Sequence, residues 1–127
     1  MSTDWSDDLL AAVDGATEVQ IATPRRDGTA SAFVPIWAVT ADGEVYVRTW
    51  YRRDTGWYGR AVRSGRARLR LNGTDLDVRV DDVGGDTETL AAVDGAYTAK
   101  YGHGSGSVGR MVSYEAAATT LRLAPRL

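Results

Sequence analysis

The sequence predicts one mainly β (α+β) domain, an antiparallel barrel of about six strands with short flanking helices. Three observations carry this. Two dipeptides, Asp42-Gly43 and Asn72-Gly73, each separate segments of alternating character. That pattern is the strongest short-range signal for a two-residue hairpin, whose central positions need positive φ. In the second hairpin the pairs such a turn imposes are chemically consistent. Leu69 faces Leu76 and Ala67 faces Val78 on one side, while Arg70 faces Asp75 and Arg68 faces Asp77 on the other. The third observation is size: 127 residues, 43% hydrophobic and 25% charged, suit a single core, so 1–127 reads as one domain.

The chain opens on a helix. Ser6 caps it, Asp7 and Asp8 complement the dipole in its first turn, and Gly15 stops it. Trp5, Leu9, Leu10 and Val13 supply its apolar stripe. Glu18–Thr23 alternates, placing Val19, Ile21 and Thr23 on one face, and Pro24–Gly28 is a turn. Thr29–Thr40 and Glu44–Trp50 form a hairpin about Asp42-Gly43, with Val45 opposite Thr40, Val47 opposite Ala38 and Thr49 opposite Ile36. On its other face Tyr46 meets Val39, Arg48 meets Trp37, and Trp50 meets Pro35. Pro35 cannot donate to a ladder, so it marks an edge or a bulge where the strand bends.

Asp54 caps a second helix, Thr55–Ser64, which Gly65 ends. The hairpin of Arg66–Leu71 and Thr74–Val83 follows. Asp86 opens a third helix, with Leu90, Val93, Tyr97 and Tyr101 on one stripe. The Gly/Ser-rich run from Gly102 to Gly109 is a loop, and Thr119–Leu123 is a last strand.

Several function classes fall away at once. With no cysteine there is no disulfide framework, zinc knuckle or thiol nucleophile. That usage, with no apolar leader behind Met1, places the protein in the cytoplasm, and no apolar run is long enough to span a membrane. Gly104, Gly106 and Gly109 match the letters of a dinucleotide fingerprint, but they follow a helix and no βαβ unit surrounds them. His103, the sole histidine, makes no metal site without further ligands and reads either as an exposed loop residue or as a catalytic group. Asn72-Gly73-Thr74 matches a glycosylation acceptor, yet the turn accounts for Asn72 without it.

The charge distribution is more informative than its sum of −2. Fourteen of the fifteen basic residues are Arg, eight of them between Arg48 and Arg70, where Asp54 is the only acid. Trp37, Tyr46, Trp50, Trp57 and Tyr58 are interleaved with them. Three readings fit this pattern. A planar cofactor stacks on the aromatics while arginines hold its phosphate. Alternatively, the region binds single-stranded nucleic acid. Or it forms a dimer interface with a basic rim, where Trp, Tyr and Arg are naturally enriched. The concentration of charge at one place favours a locally held anion over a long nucleic-acid track.

Thr29–Val83 resembles the flavin- and deazaflavin-binding split β-barrel superfamily, which includes pyridoxamine-phosphate oxidases and deazaflavin-dependent nitroreductases. The resemblance is carried by the strand Val45-Tyr46-Val47-Arg48-Thr49-Trp50 and by the polar loop Tyr51-Arg52-Arg53-Asp54 running into Gly56-Trp57-Tyr58-Gly59-Arg60-Ala61-Val62. The run Gly65-Arg66-Ala67-Arg68-Leu69-Arg70-Leu71-Asn72-Gly73 completes it. With its closing Ala118-Thr119-Thr120-Leu121-Arg122-Leu123, the whole chain is similar to a small actinobacterial family in this superfamily.

The resemblance implies an antiparallel split β-barrel and a homodimer with two cofactor sites at the subunit interface. The Val39/Tyr46 face would then be interface and cofactor wall together. Carried over by position, Pro35, Ile36 and Trp37 border the flavin or deazaflavin ring. Arg48, Thr49, Arg52 and Arg53 approach the phosphate, Trp50 belongs to the same cofactor site, and Trp57 and Tyr58 lie at the start of the following helix, near the phosphate or packed beneath it. Substrate enters beside the Gly-rich loop, within reach of Tyr97, Tyr101 and His103. The oxidase branch usually places a Lys in the phosphate site, and Lys100 is the only Lys here, which favours the deazaflavin coenzyme over FMN. The activity implied is hydride transfer to a small conjugated substrate, as in a reductase. The alternative is a non-catalytic dimeric binding or accessory module on the same fold.

Overall fold

A computed structural model of the chain describes residues 5–49, 56–102, 112 and 114–125. Eleven elements follow one another among them: α1 (Asp7–Gly15), β1 (Val19–Ala22), β2 (Val34–Ile36), β3 (Ala38–Ala41), β4 (Glu44–Val47), α2 (Gly56–Ser64), β5 (Arg66–Leu71), β6 (Thr74–Asp82), α3 (Thr87–Tyr101), α4 (Tyr114–Ala117) and β7 (Leu121–Pro125). No helix among these residues is long and apolar enough to cross a membrane.

The seven strands form one antiparallel sheet in the order β2-β1-β5-β6-β7-β4-β3. Its two edge strands are consecutive in the chain, with Trp37 alone between them. The sheet is therefore a nearly closed barrel whose seam is bridged covalently at Trp37. This is the split β-barrel expected, with seven strands instead of about six because the long strand candidate Thr29–Thr40 divides there.

Both hairpin turns have the predicted backbone. Asp42 and Asn72 sit at φ 52°, Gly43 and Gly73 at φ 78°, a conformation that suits Asn, Asp and Gly at a two-residue turn. The β5–β6 register is the predicted one at all four pairs. In the first hairpin the predicted register holds for Thr40–Val45, Val39–Tyr46 and Ala38–Val47, then stops. Beyond Ala38 the chain leaves β4 and joins β1, so Ile36 pairs with Val19 and Pro35 with Gln20. The expected Thr49–Ile36 and Arg48–Trp37 ladder pairs do not form, and the Trp50 end of the expected Pro35–Trp50 pair lies outside the described residues. A strand on a strongly curved sheet cannot keep one partner along its whole length, and Pro35 has no N–H to hold the ladder together.

The main core fills the barrel with Val19, Ile21, Val45, Val47, Leu69, Val78, Leu121 and Leu123, closed at one end by α1. Ser6 caps α1 through its Oγ, which accepts from the Leu9 N–H at 3.2 Å. Trp5 is buried and donates its indole N–H to the Leu123 carbonyl at 2.8 Å, tying the chain's start to its last strand. A second core lies outside the barrel, where Val93, Tyr97 and Tyr101 of α3 pack on Val39 and Tyr46. The Val39/Tyr46 face is thus covered by the chain's own helix and is not open to a second subunit. The α3 stripe read from the sequence buries this surface.

Candidate functional site

The seam is the place to build the site, because there the two edge strands are joined through the single residue Trp37. The Trp37 ring is half-buried and lies flat on Tyr101, with centroids 4.0 Å apart and planes 4° from parallel. Behind it, Tyr97 donates its hydroxyl to the Trp37 carbonyl at 2.9 Å. Tyr101 donates to the Thr17 carbonyl at 2.8 Å. Both tyrosines come from α3 at helical spacing, which puts their rings one above the other at 6.0 Å. Burial pushes both hydroxyls up, Tyr101 to about 12 and Tyr97 further, so both stay protonated donors.

Arg48 completes this wall from within. Its side chain is fully buried, its Nε donates to the Thr120 hydroxyl at 2.8 Å, and one terminal nitrogen meets Asp94 of α3 at 2.5 Å. The other terminal nitrogen donates to the Leu90 carbonyl at 3.2 Å, and the guanidinium carbon lies 5.5 Å from the Tyr97 ring centroid. Arg48 thus ties β4 to α3 and to the approach to β7. That approach is why β7 starts at Leu121 and not at the predicted Thr119. The Thr119 hydroxyl has its one proton within reach of both the Ala116 and Thr49 carbonyls and accepts from the Thr49 N–H, while the Thr120 hydroxyl donates to the Ala117 carbonyl. Gly84 lets this segment approach closely, since a Cβ there would collide with the Ala118 carbonyl.

The remaining candidates fall in separate places. Pro35 is exposed on the outer side of the sheet, and Ile36 points inward and is buried. Trp57 and Tyr58 begin α2, half-buried and edge-to-face at 6.0 Å, against the main core. Trp50, Arg52, Arg53 and His103 lie outside the described residues. The fold therefore gathers Trp37, Arg48, Tyr97 and Tyr101 on the α3 side, and sets Trp57 and Tyr58 apart from them.

A planar ring with a phosphate tail fits part of this arrangement. The exposed Pro35 and the rigidly backed Trp37 offer an apolar border at the seam. Arg48 does not fit the phosphate role, because Asp94, Thr120 and Leu90 already take hydrogen bonds from all three of its guanidinium nitrogens. Sequence reasoning missed Asp94 and Thr120 as its partners. Asp94 stands one residue past Val93 on an otherwise apolar stripe of α3, and no cross-strand rule links it to Arg48.

Solved structures place this architecture. The chain matches a conserved hypothetical protein, Rv2991, from Mycobacterium tuberculosis, with a TM-score of 0.63 at 15% identity, over 98% of this chain and 82% of that one. It matches an FAD-binding protein (mll6688) from Mesorhizobium loti with a TM-score of 0.58 at 12% identity, over 95% and 88%. An F420 reductase aligns with a TM-score of 0.50 at 12% identity, over 91% and 90%. These likenesses show a shared fold, the split β-barrel. Within that class, residues 9–123 match the family described as "uncharacterized protein conserved in bacteria" (DUF2255), and the chain belongs to it. A search of curated proteins found no match.

Proposed function

We propose that this protein is a flavin- or deazaflavin-binding oxidoreductase that acts as a homodimer in the cytoplasm on a small conjugated substrate. The observation that carries the proposal is the seam. A split barrel interrupted at one backed tryptophan offers a flat apolar border, and the basic run 51–54 follows β4 in the sequence. Pro35 and Trp37 border the ring in this reading, and Arg52 and Arg53 take the phosphate. Thr49, Trp50, Trp57 and Tyr58 flank that loop in sequence, and His103 belongs to the substrate side. Ile36 supports the border from inside the barrel. Arg48, Tyr97 and Tyr101 shape the wall from behind instead of touching the ligand. A bound flavin or deazaflavin supplies the hydride chemistry, so the protein needs to position and shield it and no dedicated acid or base is compulsory.

The deazaflavin coenzyme is favoured over FMN, since the only lysine in the sequence, Lys100, is far from the loop in sequence and donates to the Val13 and Ala38 carbonyls. A second reading, a non-catalytic accessory module, draws support from Arg48, the one fully buried arginine among the described residues of the basic cluster, being engaged within the chain. Fluorescence titration of the purified protein with FMN and with the deazaflavin coenzyme decides between them. Saturable micromolar binding of one is expected, weakened roughly tenfold or more in an Arg52→Ala/Arg53→Ala variant, as for loss of charge-assisted hydrogen bonds. Failure of both to bind would leave the accessory module.

A further inference from the structure

On the outer surface of β1, β5 and β6, a cleft of about 230 Å³ opens beside the turn that follows β1. Pro24, Gly28 and Ala30 line it together with Arg66, Arg68 and Asp77. Along this hairpin the outward rungs pair opposite charges: Arg70 meets Asp75 at 2.8 Å, and Arg68 meets Asp77 at 3.0 Å. The next rung breaks the pattern, because Arg66 lies opposite Arg79. Like charges facing each other across an antiparallel pair destabilise it.

Arg79 turns to Asp81, its Nε 3.4 Å from the carboxylate. The Arg66 guanidinium has no ion-pair or hydrogen-bond partner among the described residues. Two more arginines arrive from other elements. Arg25 donates to the Ala30 carbonyl at 2.9 Å, and Arg60 to the Thr23 hydroxyl at 2.8 Å, each anchored through one nitrogen beside the cleft wall. Of the nearby acids, Asp77 is already paired with Arg68, and Asp27 accepts from the Thr29 N–H and hydroxyl.

We infer that this cleft is an anion site, in which a phosphate group of a small ligand supplies the acid that the Arg66–Arg79 rung lacks. A guanidinium matches phosphate oxygens in geometry as well as charge. The volume lies below the roughly 300 Å³ at which drug-sized ligand pockets begin, so the cleft suits a phosphate group and not a whole isoalloxazine. The site is distinct from the seam: β2 pairs with β1 on the side away from β5, and no seam residue lines the cleft.

Inorganic phosphate is the probe, used with the full chain at low ionic strength. Calorimetric titration should give saturable binding, and Tm should rise with phosphate but not with chloride at equal ionic strength. Arg66→Ala should weaken phosphate binding roughly tenfold, the loss of one charge-assisted contact. Arg70→Ala, on the same face but already partnered by Asp75, should leave it unchanged. Arg79→Asp restores an opposite-charge rung, so it should raise Tm without phosphate and flatten the phosphate response. Equal Tm shifts in the two salts, or wild-type phosphate binding by Arg66→Ala, would overturn the site. A parallel FMN titration separates the two readings. If Arg66→Ala also loses flavin, the cleft is the cofactor's own tail site and no independent anion site exists.

Discussion

In the β5–β6 hairpin, the Arg70–Asp75 and Arg68–Asp77 pairs stand in water, with side chains between 38% and 54% exposed. Beside the seam, the Arg48 side chain is 0% exposed and reaches across from the end of β4 to Asp94 on α3. The same two residue types thus do different work. In the hairpin they decorate a register already set by Leu69–Leu76, Ala67–Val78 and the turn. At the seam they join a strand to a helix that no ladder connects. A screened surface pair gains little from its partner, whereas a buried guanidinium deprived of its partners leaves others uncompensated.

The largest effect should therefore come from Arg48→Ala. It removes the partner of Asp94, frees the Leu90 carbonyl and opens a void beside Tyr97. A loss of about 3 kcal/mol in urea unfolding is expected, the low end for breaking a buried pair, because Asp94 is itself 43% exposed. Arg48→Met/Asp94→Ala should recover part of that loss, since removing both charges is milder than stranding one. A single variant as stable as the wild type would mean that the seam side resembles the hairpin after all.

Next in size is the alkaline limb. Tyr101 donates to the Thr17 carbonyl only while protonated, and burial raises its pKa to about 12 from the ordinary 10.0. Its neutral form is favoured in the folded state, so its contribution is complete below pH 10 and is lost as pH rises through 12. Tyr97 acts in the same direction. Unfolding midpoints should fall across that window. In Tyr101→Phe the fall should be shallower, from a baseline lower by about 1 kcal/mol for the lost hydrogen bond. Parallel pH curves for wild type and variant would show that Tyr101 does not carry this dependence.

The contrast also governs what the sequence made legible. Local signals were enough for Ser6, both turns, the whole β5–β6 register and the α3 stripe, because each depends on residues near in sequence or on period alone. The seam was not legible. The period-2 pattern of Thr29–Thr40 runs straight through Trp37, and nothing in it marks the change of partner from β4 to β1 except Pro35. Thr119 and Thr120 read as strand by alternation, but their hydroxyls bond backbone carbonyls and Arg48, which only the fold brings near. The aromatic residues were recognised as special. Their direction was not, since the face of Tyr46 and Val39 looks the same in sequence whether a second subunit or α3 covers it.

The smallest effect belongs to the hairpin, and it tests whether its exposed pairs matter at all. The hydrogen bond from Arg70 holds the Asp75 carboxyl below its ordinary value of 3.8. Its contribution is present above that value and disappears as acid protonates the group. Asp75→Asn should therefore flatten the acid limb slightly and leave Tm at neutral pH nearly unchanged. Added salt should erase even that difference, because an exposed pair is screened within a Debye length of about 10 Å at 0.1 M ionic strength. Thermal unfolding at low and high salt, at neutral and acid pH, would measure it. A large, salt-resistant loss in Asp75→Asn would show that the pair fixes the register together with the apolar rungs, and would erase the distinction between the two regions.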